Sequence, residues 1–281
     1  MGLTTQPATG QRIALLSKHQ KAAHIAPYLA ACGFTVETTE AFDTDRLGTF
    51  CGDIARPMTP LACAQKKAWL ASKLTGLRYG LGSEGSFGGG PVPGLINWDH
   101  ELLALYDAEQ DHYIMASVAG PISLVQYQGK DLQALSTILH SQSDKQAWIV
   151  KTEGRCDKGL RDPDAVMTLL AELSLRNGSQ TLNDTVHVQP DLRAMHCPQR
   201  QRYIAQAAQQ LAERWQSRCP HCQAADFWFR EHRLGLPCNA CGAPTERLQA
   251  RIRICLYCQH RKSEPVPEPT ADPGFCQWCN P

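Results

Sequence analysis

The chain has 281 residues, of which 43% are hydrophobic and 20% charged, so it can bury a full apolar core and is not a disordered chain. Its 28 Lys and Arg residues nearly balance 27 Asp and Glu residues, and the net charge of +1 argues against general binding to nucleic acid or to a membrane surface. A mean hydropathy of −0.34, without a long apolar run or a signal-peptide-like start, predicts a cytoplasmic protein with no membrane span.

Strand-like and helix-like segments alternate over residues 11–216. Short apolar runs predict strands, and longer segments that open with a capping residue predict helices. In chain order, the expected strands are 12–17, 34–38, 77–81, 102–106, 112–118, 147–152 and 185–188, and the expected helices are 19–32, 60–74, 131–140, 164–176 and 198–215. The polar segment 43–57 and the glycine-rich segment 82–94 are expected to be loops. The alternation predicts an α/β fold with a mixed sheet and flanking helices.

The composition changes after Ser217, where helical periodicity ends and Cys, Pro and Gly dominate. This change predicts two domains, an α/β domain over residues 11–216 that binds a phosphate or nucleotide, and a small double zinc ribbon over residues 217–281.

Four CxxC pairs, all after residue 218, contain eight of the thirteen cysteines. In a reducing compartment such pairs indicate zinc rather than disulfides, and two pairs supply the four thiolates of a tetrahedral site. We therefore expect two structural zinc ions. Sequential pairing gives one site at Cys219, Cys222, Cys238 and Cys241 and another at Cys255, Cys258, Cys276 and Cys279. An interleaved pairing is compatible with the same spacing.

Two roles are compatible with the zinc ribbons: to hold the C-terminal region folded, or to bind another molecule. Few aliphatic residues follow Ser217, so zinc is expected to hold this region folded. Residues 216–281 carry eight Lys and Arg residues and six acids, and two Zn(Cys)₄ centres would change this charge from +2 to −2. The result argues against binding to a phosphate backbone and favours structural or protein-contact roles.

Two polar segments near the N terminus are candidate ligand sites. Lys21 follows the first predicted strand and could reach a phosphate held at a helix N-terminus, or could be an ordinary solvated lysine. Asp43, Asp45 and Asp53 lie in one polar segment and could hold Mg²⁺, or could form a solvated acidic loop.

Two later segments extend this set. Glu84 lies in a glycine-rich stretch between Ser83 and Ser86, where a carboxylate at a strand end would point into the usual ligand crevice of an α/β sheet. A loop position has little packing to lose, so replacing Glu84 is expected to change stability by less than about 1 kcal/mol. Arg193 and Arg200 flank a predicted helix start, a favourable place for an oxyanion, although Arg193 could instead pair with Asp191 in a structural turn.

Two family resemblances add to these patterns. The strings DTDRLGTFCGD, GSEGSFG, DLRAMHCPQR and CQWCNP resemble a bacterial family described only as a domain of unknown function, which implies no activity. The order of SKHQK, GTF, ACAQKKAWLASKLTG, LGSEGSFG and a late arginine resembles the inosine/xanthosine triphosphate pyrophosphatases, which cleave non-standard nucleoside triphosphates with Mg²⁺. The site residues that this second resemblance implies are Lys21, Asp45 or Asp53, Lys67, Glu84 and Arg193. The chain departs from that family in lacking its first-loop Asn, in having one acid at the third segment, and in carrying zinc ribbons.

Together these patterns predict a Mg²⁺-dependent hydrolase of a phosphorylated small molecule, with a nucleoside triphosphate pyrophosphatase as its most specific form. The alternative is a non-enzymatic adaptor whose ribbons bind protein or nucleic acid. The predicted catalytic residues are Glu84, Asp45 and Asp53, the magnesium ligands are Asp43, Asp45 and Glu84, and the substrate-binding residues are Lys21, Lys67, Ser83, Ser86, Arg193 and Arg200. The enzyme hypothesis requires these side chains to converge on one cleft.

Overall fold

A computed structural model of the chain describes residues 10–18, 20–47, 57–93, 95–142, 145–176 and 185–280. The chain divides into two compact units, one over Thr9–Leu211 and a C-terminal one that begins at Ala212. Among the helices of these residues, none is both long and apolar enough to cross a membrane.

A five-stranded mixed sheet forms the first half of the larger unit, with strand order β2-β1-β3-β4-β5. Its strands are β1 (Gln11–Leu16), β2 (Phe34–Thr39), β3 (Tyr79–Phe87), β4 (Trp98–Asp107) and β5 (His112–Pro121). Strand β1 is parallel to both β2 and β3, whereas β3, β4 and β5 are antiparallel. The pairing of β1 with β3 stops at Leu15 and Leu81, so β3 continues beyond the end of β1.

Helix α2 (Pro60–Thr75) covers one face of this sheet. Gly80 and Gly82 of β3 lie directly beneath it, and a Cβ atom at either position would collide with a backbone carbonyl of the helix, that of Ala68 or Ala64. The same two alanines pack against apolar side chains of β4. The glycines therefore allow close contact between helix and sheet.

Helices α1 (Ala22–Ala30) and α5 (Pro198–Gln216) bring polar side chains to the opposite face, as the contacts of Lys21 and Arg200 below show.

A four-stranded antiparallel sheet forms the second half of this unit, with order β6-β9-β7-β8. Its strands are β6 (Tyr127–Gly129), β7 (Trp148–Thr152), β8 (Arg155–Leu160) and β9 (Val186–Pro190), and its helices are α3 (Leu132–His140) and α4 (Pro163–Arg176). A separate core joins these elements, made of Leu135, Leu139, Trp148, Val150, Val166, Leu170, Val186 and Val188.

The C-terminal unit contains a three-stranded antiparallel sheet of β10 (Trp228–Leu234), β11 (Leu248–Ile254) and β12 (Arg261–Pro265), in that order. Each strand begins and ends close to a cysteine pair. Asp226, almost fully buried, forms ion pairs with Arg214 and Arg230 just before β10.

The predicted α/β class with a mixed sheet is confirmed, and two local predictions are wrong. Residues 82–87 continue strand β3 instead of forming a loop, because their glycines serve helix packing. Strands β6 and β8 were not predicted, since β6 has only three residues and RCDKGL of β8 is polar and has no apolar run.

Candidate functional site

Two groups of four cysteines are assembled in the C-terminal unit, and in each group all four sulfur atoms lie within 4.8 Å of one another. The shortest separations are 3.5 Å between Cys222 and Cys255 and 3.6 Å between Cys241 and Cys276. A tetrahedral zinc ion with Zn–S bonds of about 2.3 Å places its sulfur atoms about 3.8 Å apart. Both groups therefore fit zinc.

Each CxxC pair forms a zinc knuckle, and each metal site combines two knuckles that are not neighbours along the chain. The sequential pairing is therefore wrong. One group contains Cys219, Cys222, Cys255 and Cys258, and the other contains Cys238, Cys241, Cys276 and Cys279. The reason is the antiparallel sheet, in which the first and third knuckles lie at one end of the strands and the second and fourth at the other. Successive knuckles along the chain are therefore a strand length apart.

The knuckles share one backbone pattern. The residue after the second cysteine donates its amide hydrogen to the carbonyl of the first cysteine in all four knuckles. Gln223, Gly242 and Gln259 adopt left-handed conformations with φ of 62°, 74° and 59°. The left-handed conformation, which glycine adopts easily, is thus also adopted by two glutamines at these positions.

In the α/β unit, a buried ion pair joins β3 to helix α2. The Lys67 ammonium lies 2.5 Å from Glu84 Oε2, and the Cys63 thiol donates to the same oxygen at 3.2 Å. Burial alone would raise the pKa of Glu84, but the positive charges of Lys67 and Lys21 hold it below its ordinary value. Glu84 is therefore an ionised, almost fully buried carboxylate.

A second polar group lies on the opposite face of the sheet. Ser83 precedes Glu84 in the strand, so its side chain points the other way, and its Oγ accepts a hydrogen bond from Lys21 Nζ at 2.9 Å. On β4, Glu101 Oε1 accepts from Arg200 Nε at 2.6 Å, and both side chains are buried. Arg200 also donates to the backbone carbonyl of Leu192.

The two groups act on each other electrostatically. Burial lowers the pKa of Lys21 to about 8, and the charges of Glu101, Arg200, Lys67 and Glu84 all contribute to this value. Lys21 is therefore the residue where the two polar groups meet. It directly precedes α1, at the carboxyl end of β1.

The other predicted site residues lie elsewhere. Asp43 is exposed and forms an ion pair with Lys18 at 2.6 Å. Arg193 forms a bidentate ion pair with buried Asp191, the structural turn that the sequence also allowed. Ser86 is half-buried in the continuation of β3. The Asp45 side chain and Asp53 lie outside the described part of the chain, so a site that includes them stays a prediction.

Sequence reasoning missed two buried acids of β4, Asp99 and Glu101. Their signal was present in the string WDHELLALYD, where two carboxylates alternate with other residues and so share one face of a strand. Their proximity to Lys21 and Arg200 depends on sheet pairing and was not readable from the sequence.

Residues 67–281 match the family described as a domain of unknown function (DUF6671). The chain belongs to that family. The match includes Lys67, strands β3 and β4, Arg200 and both cysteine groups, whereas Lys21 and the acidic segment around Asp45 precede it. No curated protein and no solved structure is similar to the chain. The resemblance to inosine/xanthosine triphosphate pyrophosphatases stays a prediction.

Proposed function

We propose that the α/β unit binds the phosphate groups of a small molecule and hydrolyses a phosphate bond, in the crevice where β1 ends beside β3. The observation that carries this proposal is the meeting of Lys21, Lys67 and Glu84 at the carboxyl end of β1. Crevices at the carboxyl ends of parallel strands are the usual ligand sites of α/β sheets.

The carboxyl end of β1 and the N-terminus of α1 form a favourable place for an anion. Strand β3 continues from Gly82 to Phe87 without a partner strand on the β1 side among the residues described. Helix α1 begins at Ala22 there, and its first amide groups and dipole favour negative charge. The Lys21 ammonium is partly desolvated, so a bound phosphate would regain the charge stabilisation that burial removes.

The residues of this crevice have distinct proposed roles. Lys21 and Lys67 would neutralise phosphate oxygens as charge develops on the leaving group. Glu84, which stays ionised, would orient the water molecule that attacks phosphorus while the bond to the leaving group breaks. Arg200 is fully buried against Glu101, so it would position the site and not contact the substrate.

A nucleoside triphosphate with Mg²⁺ is the most specific form of this proposal. Bound Mg²⁺ would polarise the phosphoryl group. Within the described ranges, the only groups of three or more potential metal ligands are the two cysteine groups. The predicted magnesium set of Asp43, Asp45 and Glu84 stays a prediction, because the Asp45 side chain lies outside the described part of the chain.

The test is a panel of nucleoside triphosphates and sugar phosphates, assayed for phosphate and pyrophosphate release with Mg²⁺ by the zinc-loaded protein. We expect Lys67→Met to raise KM at least tenfold for any compound that is turned over. The matched control is Lys66→Met, since Lys66 lies over the Trp69 ring on the same helix and away from Glu84. No turnover in the whole panel, or turnover that Lys67→Met and Lys21→Met leave unchanged, would contradict the proposal.

A second proposed function, binding of a protein partner by the C-terminal unit, is supported by a cavity of about 890 Å³ beside its sheet. Leu234 and Phe275 line it and are each more than half exposed. Its charged lining residues are Glu246, Glu264, Glu268, Asp272, Arg247 and Arg251, an acidic excess that favours a basic, apolar peptide over nucleic acid. Binding of Leu- and Lys-containing peptides that Leu234→Glu leaves unchanged would exclude this cavity as their site.

A further inference from the structure

Two carboxylates of β4 lie side by side in the core of the α/β unit. Asp99 and Glu101 are two residues apart, so their side chains share the face of the sheet that carries Ser83 and Gly85. Their exposed fractions are 0% and 1%. Buried acids of this kind must be neutralised, because an isolated ionised carboxylate is strongly unfavourable away from water.

Three of the four carboxylate oxygens have no hydrogen-bond partner of normal geometry in the described part of the molecule. Glu101 Oε1 is bound by Arg200, but Glu101 Oε2 and both oxygens of Asp99 are buried and unmatched. The backbone amide of His100 is close enough to favour the charged form of Asp99, although it does not complete a regular bond. These oxygens lack the donors that buried carboxylates normally have.

Two neighbouring cations, Arg200 and Lys21, act on the charge of Asp99 and donate hydrogen bonds to other groups. Arg200 binds Glu101 and a backbone carbonyl, and Lys21 donates to Ser83. Burial and the negative charge of Glu101 raise the pKa of Asp99 to about 7, against the opposing effects of Arg200 and Lys21. The buried Cys197 thiol is the remaining titratable group nearby. No described side chain donates a regular hydrogen bond to Asp99, so its ionised form would gain from an added cation.

A side chain at position 85 would close the space beside Glu101. A Cβ atom there would lie 2.8 Å from Glu101 Oε1. Glycine at this position makes room for the ion pair of Arg200 and Glu101, on the face of β3 that carries Ser83 and the Lys21 ammonium of the proposed phosphate crevice.

We propose that Asp99 and Glu101 bind one divalent cation of the Mg²⁺ type, through Asp99 and the free oxygen Oε2 of Glu101. Mg²⁺ is commonly held by one or two carboxylates, with water and substrate phosphate oxygens completing six ligands. This site takes the place of the acidic segment around Asp45 as the proposed metal site. A substrate phosphate as one of the metal ligands rests on the proposed hydrolase function. Binding of the cation itself requires no substrate.

The test uses Mn²⁺ as the probe, titrated into the zinc-loaded full-length protein at pH 8, with free Mn²⁺ measured by electron paramagnetic resonance. We expect one Mn²⁺ per chain that Mg²⁺ displaces. Asp99→Asn should weaken this binding at least tenfold, and Glu101→Gln should also weaken it. Glu37→Gln is the matched control, because Glu37 is an exposed carboxylate of the same sheet that pairs with Arg12. Zinc content and thermal unfolding confirm that each variant is folded.

A second measurement needs no variant. Because a proton competes for Asp99, Mn²⁺ binding by the wild-type protein should weaken several-fold between pH 8 and pH 6. Binding that is absent at pH 8, that is unchanged in Asp99→Asn, or that is equal at both pH values would overturn the metal site. Hydrolysis without such binding overturns only this site, whereas metal binding without hydrolysis of any phosphate compound overturns only the proposed hydrolase.

Discussion

Replacing Glu84 by Gln tests the buried ion pair that anchors the crevice. The change keeps the size of the side chain but removes the charge that faces Lys67 at 2.5 Å. The side chains of Glu84 and Lys67 are only 7% and 12% exposed, so water would compensate only in part for the lost charge. Gln would still accept a hydrogen bond, but the Lys67 ammonium would remain buried without a counter-charge.

The expected loss of folding free energy in Glu84→Gln is larger than the value of less than about 1 kcal/mol that the sequence suggested for a loop residue. Removing one partner of a buried ion pair costs about 3 kcal/mol. For a unit of this size, that loss corresponds to a fall in Tm of roughly 6–12 °C. Because the pKa of Glu84 is lowered in the folded state, its stabilising effect is present above the unfolded value and is lost as pH falls through the folded one. The difference between wild type and Glu84→Gln should therefore shrink at acidic pH.

Thermal unfolding followed by circular dichroism at neutral pH measures this difference, with zinc content as a check on the C-terminal unit. The double variant Glu84→Gln, Lys67→Met should recover most of the lost stability, because it removes both charges. Glu37→Gln should leave Tm almost unchanged, since its ion pair with Arg12 is exposed to solvent. If Glu84→Gln unfolds at the wild-type temperature, the ion pair does not stabilise the fold. If the double variant is no better than the single one, the damage comes from packing.

Three further outcomes follow from the same structure. The protein should contain two zinc ions per chain by elemental analysis, and the double variant Cys238→Ser, Cys276→Ser should retain one, whereas sequential pairing would leave none. Gly82→Ala should lower Tm by at least about 10 °C or prevent folding, because its Cβ would collide with the Ala64 carbonyl of α2, and a wild-type melting curve would contradict that contact. Asp99 has a pKa raised to about 7, so its own contribution to stability should fall as pH rises from about 4 to 7. Without added divalent cations, Asp99→Asn should therefore be about 2 kcal/mol more stable than wild type at pH 8 in urea unfolding, and equal stability would refute the unmatched charge.

The starts of α2, α3 and α4 were predictable because their signals are local, whereas α1 begins three residues later than expected and has no side-chain cap. Thr59 accepts the amide hydrogen of Ala62 ahead of α2, and Asp131 caps α3 in the same way. Asp162, directly before Pro163, accepts the amide hydrogen of Ala165 at the start of α4. A cap depends on three or four consecutive residues, so the sequence contains almost all the information that it needs.

The continuation of β3 was not predictable by the same means. Glycines over residues 80–85 favour a loop locally, but here they are required by what packs on them. Gly80 and Gly82 leave room for the backbone of α2, and Gly85 leaves room for the ion pair of Glu101 and Arg200. Tertiary contacts between segments far apart in sequence decided the conformation, and a single sequence carries no direct record of them.

The candidate site was predicted in part. Two pairs of predicted site residues are in contact, Lys21 with Ser83 and Lys67 with Glu84, and the segments that carry them follow the order expected of an α/β chain. Arg193 was assigned by position alone, and its bidentate pair with Asp191 shows that a nearby acid competes for such an arginine.

The placement of the crevice follows from the alternation of side chains along β3. Ser83 and Glu84 are adjacent, so they face opposite sides of the sheet, one towards Lys21 and the other towards Lys67. Within a fully paired sheet, no single ligand could reach both sides. Beyond the end of β1, however, the edge of β3 has no paired strand in the regions described, and the charge of Lys67 already acts on Lys21 there. A phosphate at this edge could be contacted from both faces at once, which is why the shorter β1 matters as much as the charged residues around it.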